Sequence, residues 1–257
     1  MSRNSNSNGS IDDVVHKNFP KVRPALPVHL RQSYEEIYLI NRTGSSAASK
    51  LSVWAESWMH RKVASDLLSS MYSAISEVTV LEIGAGTLNH LNYEKGIKIY
   101  DIVEPQMFLL DEHLLTQRIR NHWQDIENVD RNLRYDRIVS IATFEHLEDL
   151  PVVLARAATL LKSSGCLRIA IPNEGSLLWY LAWRCTTGIE FLCKYRADYA
   201  HIMRHEHVNT ASEILTCLRY FFNDVLCQYF GLSRGLSLYH FIECRSANLR
   251  NSSGFLK

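Results

Sequence analysis

The sequence predicts an α/β protein: a doubly wound, mostly parallel seven-stranded sheet with a C-terminal antiparallel hairpin. Helical additions are expected at the N-terminus and after strand five. Three observations carry this. Short apolar runs at Thr79–Ile83, Lys98–Val103, Tyr135–Ile141 and Leu167–Ile171 alternate with helical periodicity, as in βαβ units. The first run breaks at Gly84-Ala85-Gly86, where two glycines let the backbone turn tightly and a ligand approach the main chain. Near the C-terminus, Asp224–Phe230 and Ser237–Arg245 read as two strands around Gly231–Gly235.

Composition narrows the class. A chain of 257 residues with 46% hydrophobic content supports one substantial core, or a core with a small cap. Lys and Arg number 28 against 27 Asp and Glu, so no global basic field points to nucleic acid. The six cysteines (Cys166, Cys185, Cys193, Cys217, Cys227 and Cys244) form no CxxC pair, which argues against a zinc site. Most read as small buried hydrophobes of a reduced, cytoplasmic protein. No apolar run approaches the ~20 residues of a membrane span. Met1–Ser10 is Asn- and Ser-rich and lacks the apolar core of a signal peptide. Residues 1–22 are therefore expected to be a disordered tail, 23–75 a helical N-terminal cap, and 76–257 the core.

The elements follow in order. Ser33–Asn41 reads as a short helix, stopped by Thr43-Gly44-Ser45-Ser46. A longer helix is expected from about Lys50 to Met71, with Trp54 and Trp58 one turn apart. Trp54 reads as packing on the sheet; Trp58 and its neighbour His60 fit either packing or a ligand pocket. A helix is expected to begin near Leu88, and another to run from Met107 to Arg118. Asn121–Trp123 is a weak third strand. Pro151–Leu161 is a helix closed by the turn Lys162-Ser163-Ser164-Gly165. Residues 173–222 are helical and rich in Trp and Tyr, more than a crossover needs, and read as a substrate cap. Asn209 or Thr210 would cap the helix that begins near Ala211.

The chemistry centres on the first loop. Glu82 is a carboxylate inside a buried strand, which is costly without a partner; a cationic ligand is one candidate. Glu104-Pro105 ends the second strand about 20 residues on, where an acid can accept from both ribose hydroxyls of a nucleoside. A dinucleotide fingerprint needs a third glycine for the pyrophosphate, and that position is Asn89, which argues against NAD.

Glu82-x-Gly84-x-Gly86 resembles motif I of the class I S-adenosylmethionine (SAM) methyltransferases. The resemblance implies SAM as cofactor and S-adenosylhomocysteine (SAH) as product, held by Glu82, Gly84, Ala85, Gly86, Thr87, Glu104 and Pro105. It also implies that Asp125 and Ile126 hold adenine, although a loop acid is the other reading of Asp125. Ala142-Thr143-Phe144-Glu145-His146-Leu147 resembles motif IV, where the strand end at Ile141 lies beside the transferred methyl. WMHRKVA, ATFEHL and RHEHVNT are also similar to methyltransferases found with bacterial cell-surface polysaccharide genes. The expected reaction is therefore methyl transfer to a hydroxyl of a small polar acceptor such as a sugar or sugar nucleotide. The alternative is a non-catalytic SAM-binding module that regulates or scaffolds a biosynthetic partner. Nothing in the sequence sets the oligomeric state.

Three histidines are candidate bases, because imidazole takes a proton near neutral pH. They are His207 in the cap, His146 after strand four and His60 on the first long helix. His207 leads, with Glu206 to orient it; Trp58, Arg204, His205 and Asn209 are candidate acceptor contacts, Arg204 for an anionic group. A polar turn that satisfies helix ends is the other reading of that cluster. No metal is expected, because His205 and His207 at i, i+2 do not share a helix face.

Overall fold

A computed structural model of the chain describes residues 7–31, 34, 49–68 and 77–256. The helix expected at Ser33–Asn41, its stop at Thr43–Ser46, the side chain of Trp54 and Met71 lie outside the described residues. Seven strands form one sheet: β1 (Thr79–Ile83), β2 (Ile99–Val103), β3 (Asn121–Trp123), β4 (Tyr135–Ile141), β5 (Leu161–Pro172), β6 (Phe222–Gly231) and β7 (Ser237–Ala247). Their order is β3-β2-β1-β4-β5-β7-β6. β1 to β5 run parallel, and β7 inserts antiparallel between β5 and β6. The expected architecture is therefore present. All seven residues of β4 are buried, as expected of a strand covered on both faces.

The helices are α1 (Ser7–Lys17), α2 (Val28–Arg31), α3 (Ser49–Val63), α4 (Glu112–Arg118), α5 (Leu150–Leu160), α6 (Leu177–Trp183), α7 (Ile189–Tyr195), α8 (Ala200–Glu206), α9 (Ala211–Phe221) and α10 (Leu249–Ser253). Alternating strand residues divide between two cores. Leu81 and Ile83 pack with Leu154 of α5, Leu218 of α9 and Val15 of α1. Val80, Tyr100 and Ile102 pack with Met59 and Val63 of α3.

Several local expectations change. Residues 7–17, assigned to a disordered tail, form α1, whose Val15 is buried in the first core. The helix expected near Leu88 is only a 3-10 turn, Asn89–Asn92. Leu88 takes a left-handed conformation, and His90 turns inward to bond Glu94 (2.9 Å). The segment from Met107 splits into a 3-10 turn and α4, because the Asp111 carboxylate accepts from the His113 and Leu114 N–H groups and starts the helix there. The Lys162–Gly165 turn is absorbed into β5, which begins at Leu161 with a shift of register against β4. The helical segment expected as a cap over 173–222 divides between two cores. α6, α7 and α8 share a core of their own with Leu26 and Leu30, through Trp183, Phe191, Tyr199 and Ile202. α9 instead packs on the sheet and is started by a capping box between Thr210 and Glu213. Cys166, Cys217 and Cys244 are buried, whereas Cys185 and Cys193 are exposed on the cap.

One buried feature had no signal in the strand pattern. Arg137, in the middle of β4, has no exposed surface. Its guanidinium meets Asp66 (2.9 and 3.0 Å), the Glu94 carboxylate and the Val63 carbonyl (3.1 Å). A buried charge persists only when paired in this way. The network fixes the end of α3 and the 3-10 turn after β1 against the sheet, and so fixes the walls of the site.

Candidate active site

β1 and β4 are neighbours, and the chain leaves their carboxyl ends in different directions, which opens a crevice at a topological switch point. Left-handed backbone concentrates there: Gly84 (φ 74°), Gly86 (51°), Leu88 (62°) and Ala142 (49°). Non-glycine residues in that region carry strain, which clusters at functional sites. Two cavities, of about 510 and 370 Å³, open on this edge and share Gly84, Ala142 and His146 in their walls.

The larger cavity holds Glu104, Pro105, Asp125 and Ile126. The Glu104 carboxylate accepts from Gly86 N–H (2.7 Å) and Gln106 N–H (2.9 Å), so the acid of β2 and the glycine loop of β1 are tied together. Asp125 Oδ1 accepts from Glu127 N–H (2.8 Å) and starts a 3-10 turn, so it caps a turn while facing the cavity. Glu82, Ala85, Gly86, Thr87 and Ile141 line the smaller cavity. Glu82 already has a protein partner, the Tyr100 hydroxyl, which donates to it at 2.9 Å. Burial drives its carboxyl well above the usual carboxylate range. That answers the cost of burying it without requiring a cationic ligand.

The smaller cavity also gathers His60, Glu145, His146 and His207 under aromatic walls from Trp179, Trp183, Tyr199 and Tyr239. His207 is held by Glu174 (Nδ1 to Oε2, 2.7 Å), not by Glu206 as expected. The same carboxylate oxygen accepts from Trp179 Nε1–H (2.7 Å). Burial would lower the His207 pKa; the Glu174 bond and the charges of Glu145, Glu174 and Glu206 outweigh it and hold the ring above its ordinary value. His146 Nδ1 donates to the Glu206 carbonyl (2.8 Å). The two rings stand edge to face, with centroids 4.9 Å apart. Also in the lining, His60 meets His90 (Nδ1 to Nδ1, 3.1 Å), which in turn meets Glu94.

All ten cofactor positions and all three candidate bases thus line one cavity or the other. The acceptor contacts do not gather in the same way. Arg204 is exposed on α8 and lines neither cavity, because the helix turns it to solvent. Asn209 is fully buried, donating to the Phe144 and Leu147 carbonyls (2.9 and 2.6 Å), and so braces the loop after β4. Trp58 packs on Phe230, with centroids 5.1 Å apart. His205 lines the larger cavity and bonds the Pro24 carbonyl (2.7 Å).

Two positions that shape the site escape the sequence. Glu174 follows β5 and gives no motif. Arg23 lies in an extended segment before α2. It donates to the His205 (2.7 Å), Glu206 (3.3 Å) and His146 (2.8 Å) carbonyls and pairs with Glu148 (3.2 Å), clamping cap, motif IV loop and N-terminal segment together. No spacing rule finds a residue whose partners lie more than a hundred positions away.

A doubly wound sheet with a glycine loop, a strand-end acid and paired clefts at its switch point defines a nucleoside-cofactor enzyme fold. Residues 49–219 match the model of a methyltransferase domain, and the chain belongs to that family. A malonyl-[acyl-carrier protein] O-methyltransferase of Bacillus anthracis is 31% identical over 105 residues, covering 37% of this chain. That match spans only 39% of the relative's own length. Among solved structures, the plantazolicin methyltransferase BpumL, in complex with a monoazolic desmethylPZN analogue and SAH, superposes with a TM-score of 0.53 at 17% identity. It covers 93% of this chain and 98% of that one. The CurJ carbon methyltransferase gives a TM-score of 0.56 at 17% identity, over 86% of this chain and 62% of that one.

Family and fold support SAM as the cofactor, and the residues present fit it. A Cβ built on Gly84 would lie 2.3 Å from Thr143 side-chain atoms, so only glycine leaves that shared wall open. Beside Glu104, Gln106 Oε1 is buried without a hydrogen-bond partner on the wall of the larger cavity, an acceptor suited to a nucleoside hydroxyl.

Proposed function

We propose that this protein transfers the methyl group of SAM to a hydroxyl of a small, uncharged polar acceptor such as a sugar. The observation that supports it best is the junction of the two cavities: a strand-end acid in one, a carboxylate-held imidazole in the other, and Gly84 between them. Glu104, Asp125 and Ile126 would hold the nucleoside part of SAM, Glu104 through the ribose hydroxyls. Bound SAM supplies an electrophilic methyl on a sulfonium. His207 Nε2 takes the proton of the acceptor hydroxyl, and Glu174 holds the ring in the tautomer with Nδ1–H and steadies the charge it gains. The aromatic walls exclude water and hold the acceptor for in-line attack.

Two features favour an uncharged acceptor. Aromatic faces beside hydrogen-bonding acids suit the C–H and O–H faces of a sugar. The described residues lining the smaller cavity include Glu56, Glu82 and Glu145 but no Lys or Arg. No Lys or Arg is there to pair with a sugar-nucleotide phosphate, and Arg204, expected to anchor it, lies elsewhere. The resemblance of WMHRKVA, ATFEHL and RHEHVNT to polysaccharide-associated methyltransferases supports a sugar and a cytoplasmic setting.

Glu104→Ala tests the cofactor half. Each charged hydrogen bond lost is worth about 1.5–3 kcal/mol, so SAM affinity should fall by at least about tenfold per bond. Calorimetry that shows unchanged affinity would remove the assignment of Glu104.

A further inference from the structure

We propose that Glu145, His146 and His207 form a binding site for a divalent transition-metal ion, zinc-like in its ligands, at the junction of the two cavities. The proposal rests on the reading of His207 as the imidazole that faces the acceptor, and deepens it. The three side chains come from two segments about 60 positions apart, yet each offers a ligand atom within 4.8 Å of the others. His146 Nε2 faces Glu145 Oε1 at 3.8 Å. Two imidazoles and a carboxylate, with a fourth position open to a cleft, are the donor set of a catalytic rather than a structural zinc site. At metal–ligand distances near 2.1 Å, tetrahedral ligand atoms lie about 3.4 Å apart, so the three need only close in by side-chain rotation.

The surroundings of the two rings point the same way. Ligating histidines almost always donate their other ring N–H to a carboxylate or a backbone carbonyl. Both rings do so here: His207 Nδ1 to Glu174 (2.7 Å) and His146 Nδ1 to the Glu206 carbonyl (2.8 Å). A carbonyl can only accept, so Nδ1 of His146 carries the hydrogen and Nε2 the lone pair. The Glu174 oxygen that meets His207 also accepts from Trp179, which marks it as an acceptor and puts the lone pair of His207 on Nε2 as well. Glu145 is 1% exposed. Glu145, Glu174 and Glu206 together set three carboxylates around the two rings, and the Arg23 guanidinium approaches the Glu206 carboxylate at 3.9 Å while bonding the His146 carbonyl. A buried centre of that composition favours a cation.

In the sequence the dense group of metal-ligating side chains is His205, Glu206 and His207. The fold separates those three: His205 lines the larger cavity and His207 the smaller, beside Glu145 and His146. The nitrogen that takes the acceptor's proton in the metal-free protein is the one that would ligate the ion. The two are therefore competing states of one site.

The test is titration of the chelator-treated full chain with cobalt(II), followed by visible absorption and calorimetry, then displacement by zinc. One ion per chain is expected, with ligand-field bands of a low-coordinate site. His207→Ala and Glu145→Gln should each lose the bands. Glu174→Gln, which removes only the carboxylate behind His207, should weaken binding by about 10–100-fold. Circular dichroism checks that each variant folds. Wild-type protein that takes up no cobalt or zinc at millimolar concentration overturns the proposal, whatever the variants do. So does binding that survives His207→Ala unchanged. Protein that binds neither ion, methylates, and slows on His207→Ala keeps the base and loses the metal site. Protein that binds cobalt at His207 yet methylates no acceptor does the reverse.

Discussion

A Gly84→Val variant is expected to lose measurable SAM and SAH binding while it still folds. Gly84 closes β1 with φ 74°, a conformation that costs a β-branched residue about 1–3 kcal/mol. The larger penalty is steric. A Cβ there would meet Thr143 Cγ2 and Oγ1 at 2.3 Å, well inside contact distance. Thr143 stands between strained Ala142 and buried Phe144, so it has little room to retreat. Any shift would move the wall that the two cavities share, and Val methyl groups would project into it. Calorimetry with SAH, beside circular dichroism for the fold, reads the effect. Wild-type affinity in this variant would show that the cofactor lies elsewhere.

His207→Ala is expected to lower turnover by about 10²–10⁴-fold with SAM affinity nearly unchanged, the usual contribution of a general base. Glu174→Gln should cost less, since the ring stays while the carboxylate that steadies its charge is lost. The rival is His60. Glu94 accepts from His90 Nε2, so His90 Nδ1 accepts from His60 Nδ1–H, which leaves the lone pair of His60 on Nε2, 3.7 Å from Glu56 Oε1, and both residues line the same cavity. Labelled-methyl incorporation into a panel of sugars decides between them. If His207→Ala keeps wild-type turnover and His60→Ala does not, the base sits on α3. If no acceptor is labelled by wild-type protein that binds SAM, the non-catalytic reading gains.

The sheet was legible because its signal is local. Val80-Leu81-Glu82-Ile83 and Tyr135–Ile141 are apolar runs of strand length bounded by turns, and the C-terminal hairpin is marked by its glycines. The residues proposed to hold the cofactor stood out as candidates for a related reason: glycines and acids at strand ends act through the backbone of their own element. Contacts across the chain left no such trace. Arg137 sits in a strand that reads as apolar, and its carboxylate partners, Asp66 and Glu94, come from the segments just after α3 and just after the 3-10 turn that follows β1. Glu174 reaches His207 across 33 positions, and Arg23 reaches the cap across more than 180. Helix ends misled for a different reason. The helix near Leu88 gave way because burying His90 and Glu94 against Arg137 outweighs local propensity. Arg204 lies three positions before His207, which suggests the cleft; on α8 the helical turn sends it to solvent.

The most direct test of the central claim is a calorimetric titration of the wild-type chain with SAM, SAH and NAD in parallel. SAM and SAH are each expected to bind with micromolar affinity at one site per chain, and NAD to give no heat. Saturable NAD binding with no response to SAM or SAH would contradict it.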